Sequence, residues 1–225
     1  MAKLKDILEW IDELLDVSNF DDVSNNGLQI SRVGQKVDKV AFAVDASLDS
    51  VRKACSLKAD LLVVHHGISW LGGIKRITDA QYDIISAAVK SNLAVAGYHL
   101  PLDANRKVGN NHEIARAIGL KNVKPAFSYR GNIIGVVGTK DGCKVGVCSG
   151  GAGEFAPEAK SLGCDVFITG EANWAERIAA ENISMPMLLA GHYESEVFGV
   201  KALCREISKK FKVDAFFIER DSRDE

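Results

Sequence analysis

The chain repeats itself, and nothing else in it constrains the fold as strongly. Sliding the 225-residue sequence by 105 positions lays Lys39-Val40 on Lys144-Val145, Ser56-Leu57 on Ser161-Leu162 and Asp60 on Asp165 without a gap. Each copy runs apolar strand, helical stretch, apolar strand, which is the alternation of an α/β lobe. A second slide, by 93, lays His99 on His192 and Asp103 on Glu196. The change of offset leaves the first copy about a dozen residues longer, most simply in the loop Gly67–Gln81. The expected architecture is therefore two similar α/β lobes, residues 1–125 and 126–225.

Periodicity fills in the elements. Leu4, Ile7, Leu8, Ile11, Leu14 and Leu15 recur at helical spacing with charges between them, which predicts an amphipathic first helix rather than the continuous apolar centre of a signal peptide. An Asn, Asp and Ser-rich loop, Ser18 to Gly27, follows. Strands are expected at Leu28–Ile30, Lys39–Val44, Leu61–Val64, Leu93–Tyr98, Ile133–Val137, Lys144–Cys148, Val166–Thr169, Met187–Ala190 and Ala215–Ile218. Helices are expected at 48–57, 80–90, 111–118 (capped by Asn110 or Asn111) and 197–211. No apolar run approaches the ~18 residues of a membrane helix, so a cytoplasmic, non-membrane protein is expected. A net charge of −2 gives no overall basic surface for nucleic acid. The cysteines are odd in number, five, and none stands in a CxxC pair, which points to reduced thiols. Cys148, in an apolar setting, reads as an inert strand thiol rather than a nucleophile.

The chemistry gathers at strand ends. Asp60-Leu61-Leu62-Val63-Val64-His65-His66-Gly67 stops an apolar run at two histidines, and a frayed end before Gly67 would let both rings splay around one cavity. Hydrogen-bonded structural histidines are the plainer alternative for that pair alone. His99-Leu100-Pro101-Leu102-Asp103 follows the next strand, and His192-Tyr193-Glu194-Ser195-Glu196 follows its counterpart in the second copy. Carboxyl ends of strands are where open α/β sheets bind ligands. Imidazoles and carboxylates without a thiolate make a divalent metal site suited to zinc, iron, manganese or nickel. If His65, His66, Asp103, His192 and Glu196 all bind, with one carboxylate bridging, two ions are served and open positions remain for water or substrate. His99 is a candidate proton carrier or a strand-end hydrogen bonder, and Glu171, which falls opposite His66 in the repeat, a candidate partner of a ligand or substrate. Gly150-Gly151-Ala152-Gly153 either offers N–H groups to an anion or makes a tight turn, while Asp45 in the equivalent loop of the first copy disfavours an anion. Trp70 either stacks on a base or anchors its loop, and His112 has no expected task.

Taken together, Asn26-Gly27-Leu28-Gln29-Ile30, Val64-His65-His66-Gly67 with Trp70, Tyr98-His99-Leu100-Pro101-Leu102-Asp103 with Gly109-Asn110-Asn111, Cys148-Ser149-Gly150-Gly151, Ile168-Thr169-Gly170-Glu171 and Ala190-Gly191-His192 with Glu196 resemble the Nif-three-like family. That family is named for an Ngg-one-interacting factor and often labelled a GTP cyclohydrolase type two homologue. The resemblance covers nearly the whole chain. It implies a dinuclear metal site in the cleft between two lobes, with ligands at His65, His66, Asp103, His192 and Glu196. It also implies a toroidal homohexamer, and 225 residues leave no room for the domain that longer members insert between the halves. Many relatives have a second histidine where this chain has Tyr193. The resemblance leaves the activity open among three readings: a metal-dependent hydrolase of a nucleotide-like or small anionic substrate, a non-catalytic metal-binding or trafficking protein, and a DNA-binding hexameric ring.

Overall fold

A computed structural model describes residues 2–220. In chain order the elements are β1 (Ala2–Lys3), α1 (Leu4–Leu15), β2 (Gly27–Ile30), β3 (Lys36–Val37), β4 (Lys39–Asp45), α2 (Leu48–Ser56), β5 (Leu61–His66), α3 (Asp79–Lys90), β6 (Ala94–Gly97), α4 (Leu100–Ala104) and α5 (Asn110–Ala117). There follow β7 (Lys121–Tyr129), β8 (Asn132–Lys140), β9 (Cys143–Cys148), α6 (Ala156–Ser161), β10 (Val166–Thr169), α7 (Trp174–Asn182), β11 (Met187–Leu189), α8 (His192–Phe211) and β12 (Asp214–Phe217). They divide into two compact units, Met1–Leu100 with Val200–Glu225, and Pro101–Gly199. No helix among the described residues is long and apolar enough to cross a membrane.

The first unit is built on a five-stranded sheet of order β12-β4-β5-β6-β2, with β12, β4, β5 and β6 parallel and β2 antiparallel at the β6 edge. Its central strands are apolar on both faces because both faces are covered. Ala41, Ala43, Leu62, Val64 and Val95 pack with Val51 and Ala54 of α2 and Ala88 of α3, while Phe42, Leu61 and Val63 are buried on the other side. Each fully buried Leu or Val here contributes about 2 kcal/mol. Helix α1 buries Leu4, Ile7, Ile11 and Leu15, the narrow stripe its spacing predicts.

The second unit carries a sheet of order β11-β10-β9-β8-β7, in which β9, β10 and β11 are parallel and β7, β8 and β9 form an antiparallel meander. Ile114 and Ala115 of α5 pack on Val136, Val145 and Val147. The Phe127, Phe155 and Phe167 rings, 5.1–5.9 Å apart, form a second apolar group.

The duplication is visible bond for bond. In the first unit Asp60 N–H donates to Lys39 O at 2.8 Å, the Asp60 carboxylate accepts Lys39 N–H, and the Lys39 ammonium donates to Leu57 O. In the second, Asp165 N–H donates to Lys144 O at 2.8 Å, its carboxylate accepts Lys144 N–H at 2.7 Å, and the Lys144 ammonium donates to Leu162 O. All six residues obey the 105-residue offset.

Three local expectations are corrected, and one element is new. Strand β5 stays regular through His66, which lies in register with Asp45, so the end is not frayed. Helix α5 is N-capped by Gly109, leaving Asn110 and Asn111 inside the first turn with buried side chains committed elsewhere. Helix α8 begins at His192, not Val197, so His192 and Glu196 sit one turn apart on one helix face. The segment Lys121–Tyr129, for which the sequence pattern gives no element, is the edge strand β7; an edge has a side without a partner strand, and proline is tolerated there.

Candidate metal centre

In the first unit three imidazoles converge from the ends of β5 and β6. The His65 and His66 ring centroids are 4.6 Å apart, and His99 lies 5.1 Å from the first and 5.7 Å from the second. A ring nitrogen from each of the three lies within 4.8 Å of the others. Each ring is fixed through Nδ1. His65 Nδ1 meets the Tyr98 carbonyl at 2.9 Å, His66 Nδ1 meets Asp45 Oδ1 at 2.8 Å, and His99 Nδ1 meets Asp22 Oδ1 at 2.9 Å. A carbonyl only accepts, so His65 Nδ1 carries a proton, and the two carboxylates likewise hold a proton on Nδ1 of His66 and His99, which turns Nε2 of each ring away from these partners. Trp70 stands over the group, 5.1 Å from His99 and 6.1 Å from His66, and its indole N–H donates to Gly67 O, so it anchors its loop.

Asp22 is the hub beneath His99. Its carboxylate also accepts Ser24 N–H, Leu100 N–H and Asn26 Nδ2. Burial pushes this carboxyl up, but the hydrogen bond and charge of His99, with Asn26 and the Ser24 amide, outweigh it and hold the pKa at about 2. Asn26 in turn accepts the His99 backbone N–H at 2.8 Å, so both the ring and the main chain of His99 are held by one loop. Gln29 accepts Ile68 N–H and Ser69 N–H, which ties the segment after His66 back to β2.

The second unit presents carboxylates. Asp103, buried on the short helix α4, receives Asn110 Nδ2 at 2.8 Å and Ser149 Oγ at 3.2 Å, both on Oδ1. Asn111 explains how Ser149 reaches it. In the register that pairs Val136 with Val147, the next facing pair of that kind is Ile134 and Ser149. There the strands have parted, and the Asn111 carboxamide stands between them, accepting Ser149 N–H at 2.7 Å and donating to Ile134 O at 2.8 Å. Asn110 completes the support by accepting Gly199 N–H at 2.6 Å, linking α5 to α8.

On α8, His192 Nδ1 lies 3.0 Å from Glu171 and its Nε2 3.3 Å from Glu196. The Glu196 hydrogen bond, opposed by burial and reinforced by Glu171, raises the His192 pKa to about 9. Gly150 makes room for this pair: a Cβ there would fall 2.3 Å from Glu196 Oε1 and 3.5 Å from His192 Nε2. Two amides of the Gly150 loop are committed within the fold, Gly150 N–H to Ser195 Oγ and Ala152 N–H to Thr169 Oγ1. Cys148 is buried, and burial with the charge of Asp103 pushes its thiol well above the ordinary range, as suits an inert residue.

Imidazole and carboxylate donors of the kind each unit presents suit a borderline divalent ion. All four imidazoles engage an oxygen through Nδ1, the arrangement that fixes a metal-ligating histidine, and Gly150 leaves open the space that Glu196 occupies. Sequence reasoning names these imidazoles and carboxylates as candidates but not the groups that hold them. Asp22 lies 77 residues from His99 in a loop of ordinary polar composition, Asp45 stands out only for its charge, and Asn110 and Asn111 read as caps. The one available signal is a pair of adjacent asparagines opening a helix after Gly109, since a cap needs only one.

The sequence profile of the Duf34/NIF3 (NGG1p interacting factor 3) family matches residues 2–142 and 128–223. A protein of Archaeoglobus fulgidus called GTP cyclohydrolase 1 type 2 homolog is 38% identical over 240 residues, covering 96% of this chain and 97% of its own. One of the same name from Pyrococcus abyssi is 34% identical over 245 residues, with 96% and 97% covered. Among solved structures, TTHA1606 of Thermus thermophilus superposes with a TM-score of 0.83 at 27% identity, covering 98% of this chain and 99% of that one. With its profile match in two segments and its duplicated Lys-Asp clamps, this chain belongs to the Duf34/NIF3 family.

Proposed function

We propose that the protein is a dinuclear divalent-metal protein acting as a hydrolase on a nucleotide-like or other small anionic substrate, with His65, His66, Asp103, His192 and Glu196 as ligands. The observation that carries the reading is the uniform Nδ1 engagement of the imidazoles, which leaves Nε2 as the donor on His65 and His66. Bound divalent ions of this class polarise a phosphoryl or amide oxygen and acidify water. The chain's own residues do the rest. Asn110 and Ser149 hold one oxygen of Asp103, Asp45 orients His66, and His99 or Glu171 takes and returns protons. Zinc, iron, manganese and nickel all suit nitrogen and oxygen donors. The relatives' name supports a cyclohydrolase, a ring-opening hydrolysis, as the first activity to assay. By family resemblance the working form is a toroidal homohexamer, and the five free cysteines suit a reducing cytoplasm.

The test is metal analysis of protein purified without added metal, beside Glu196→Ala, followed by turnover assays on nucleotides, phosphoesters and cyclic amides. About two ions per chain in the parent, lost in the variant, with turnover that disappears in parallel, is the expected result. An absence of bound metal under replete conditions refutes the reading. Metal without turnover on any of these substrates transfers support to a metal-trafficking role.

A further inference from the structure

Helix α7 covers strand β11 incompletely. Of the nine residues of α7 only Ala180 is buried, and so small a side chain cannot fill the space beside the sheet. Strand β11 is a sheet edge; by the alternation of a strand, Met187 and Leu189 line one space with residues of α7, while Leu188 is 56% exposed. The result is an open groove of about 470 Å³, apolar at Ala180, Met185, Met187 and Leu189 and charged at Arg177 and Glu181. None of these residues belongs to the metal reading.

Both charges are unpaired. Arg177 Nε–H donates to Ala172 O at 2.9 Å, which holds the guanidinium while its two terminal nitrogens have no partner among the described residues. The Glu181 carboxylate has none among them either, although it stands one helical turn from Arg177 on the same face. Lys160 does not supply the missing cation, since its ammonium donates to Ser184 O at 2.9 Å. The helix that carries the two charges is firmly seated: Asn173 and Glu176 close both halves of a capping box at its start.

We infer that this groove binds a free α-amino acid with an apolar side chain. Its carboxylate lies on the Arg177 fork, its ammonium on Glu181, and its side chain against Met185, Met187 and Leu189. A plain carboxylate would meet repulsion from Glu181, and a plain amine repulsion from Arg177; a zwitterion satisfies both. The two charged groups of an α-amino acid, with a hydrogen bond at each end, span roughly 8 Å. Side chains whose Cβ atoms are about 5–6 Å apart can bracket that span without touching each other. The volume is near the lower end of the range of about 300–1,000 Å³ for small-molecule sites, which suits such a ligand better than a nucleotide. A second copy of this chain seated on α7 is the competing occupant.

The test is isothermal titration of the full chain with L-leucine, L-methionine and L-phenylalanine. An amino acid can also chelate a bound metal through its amine and carboxylate, so the protein is titrated metal-free, beside Glu196→Ala. The expected result is one site per chain with a Kd of about 0.01–1 mM for at least one of the three, unchanged in Glu196→Ala. Leucinamide, which lacks the carboxylate, and N-acetyl-leucine, which lacks the ammonium, should bind at least about 10-fold more weakly than leucine. Arg177→Ala and Glu181→Gln should each weaken the amino acid by about 10- to 100-fold. Circular dichroism establishes that both variants are folded; if Arg177→Ala is not, Arg177→Lys and Glu181→Gln carry the same comparison. No binding of any of the three at about 10 mM overturns the inference. Binding that requires metal, or affinity unchanged in both variants, overturns it as well. If the substitutions alter the oligomeric state in sedimentation velocity and no amino acid binds, the groove belongs to a second copy and the inference fails.

Discussion

Asn111 is the residue whose loss should tell most about how the second unit is built. Its side chain is fully buried and replaces a missing rung between β8 and β9, accepting Ser149 N–H at 2.7 Å and donating to Ile134 O at 2.8 Å. Asn111→Ala strands both backbone groups. An orphaned buried donor or acceptor costs about 1–3 kcal/mol, so the pair together should cost about 3–4 kcal/mol. For a chain of this size each kcal/mol moves the melting temperature by about 2–4 °C, so a fall of about 6–16 °C is expected in the metal-free protein. Asn111→Asp is the informative companion. It keeps the acceptor for Ser149 but loses the donor to Ile134 and sets a second carboxylate beside Asp103, so it should be no more stable than the alanine variant. Asn111→Ala should also lose metal, because Ser149 then no longer holds Asp103. Thermal melts followed by circular dichroism provide the check. A fall of less than about 2 °C in Asn111→Ala would show that the strands close on each other once the wedge is gone, and the account of Ser149 would be wrong.

Other outcomes follow from the same geometry. Asp22, with a pKa of about 2 against 3.8 unperturbed, stabilises the metal-free fold by about 2 kcal/mol at pH above 4, and this contribution is lost as pH falls through 2; acid titration of Asp22→Asn should show that part of the pH dependence missing. Gly150→Ala places a methyl 2.3 Å from Glu196 Oε1 at a φ of +67°, so metal content should drop to the level of Glu196→Ala, and a variant that retains its ions would show that Glu196 can move aside. Iodoacetamide at pH 8 should label exposed Cys143 quickly while leaving Cys148 and Cys204 intact, since burial raises both of the latter thiols, Cys204 to about 11; mass spectrometry of the labelled peptides reads the order.

The fold was legible because duplication and burial both write themselves into local pattern. Lys39 with Asp60 and Lys144 with Asp165 recur at one offset because each pair makes the same backbone clamp, and Leu61–Val64 reads as apolar throughout because both faces of β5 are covered. Strand β7 was not legible, since an edge strand with Lys121, Lys124 and Pro125 lacks the alternation that a half-buried strand shows. Likewise the donors of the site stand out as histidines at strand ends, but the groups that fix them do not. Asp22 and Asn111 work through contacts 77 and 38 residues away, and hydrogen bonds of that span leave no periodic trace. The His192–Glu196 spacing did carry a helical signal that the preceding strand end obscured.

The two sheets differ in what stands at their rims, and this bears on how each unit avoids sticking to strands of other molecules. In the first, β2 runs antiparallel along β6 and closes that side; the corresponding rim of the second is β11, with no such strand laid over it among the described residues. An uncovered rim invites intermolecular pairing in proportion to the length of backbone it offers. Strand β11 is three residues long and ends at Ala190-Gly191, which turn at once into α8, so an intruding strand would find only a rung or two. The opposite rim, β7, is nine residues long and protected by composition instead: Lys121 and Lys124 add charge, and Pro125 removes a donor from the middle of the run. Brevity on one side and charge with proline on the other keep the second sheet closed to new strands, so that lengthening β11 or replacing Pro125 with valine would create an aggregation-prone edge in a unit that otherwise folds unchanged.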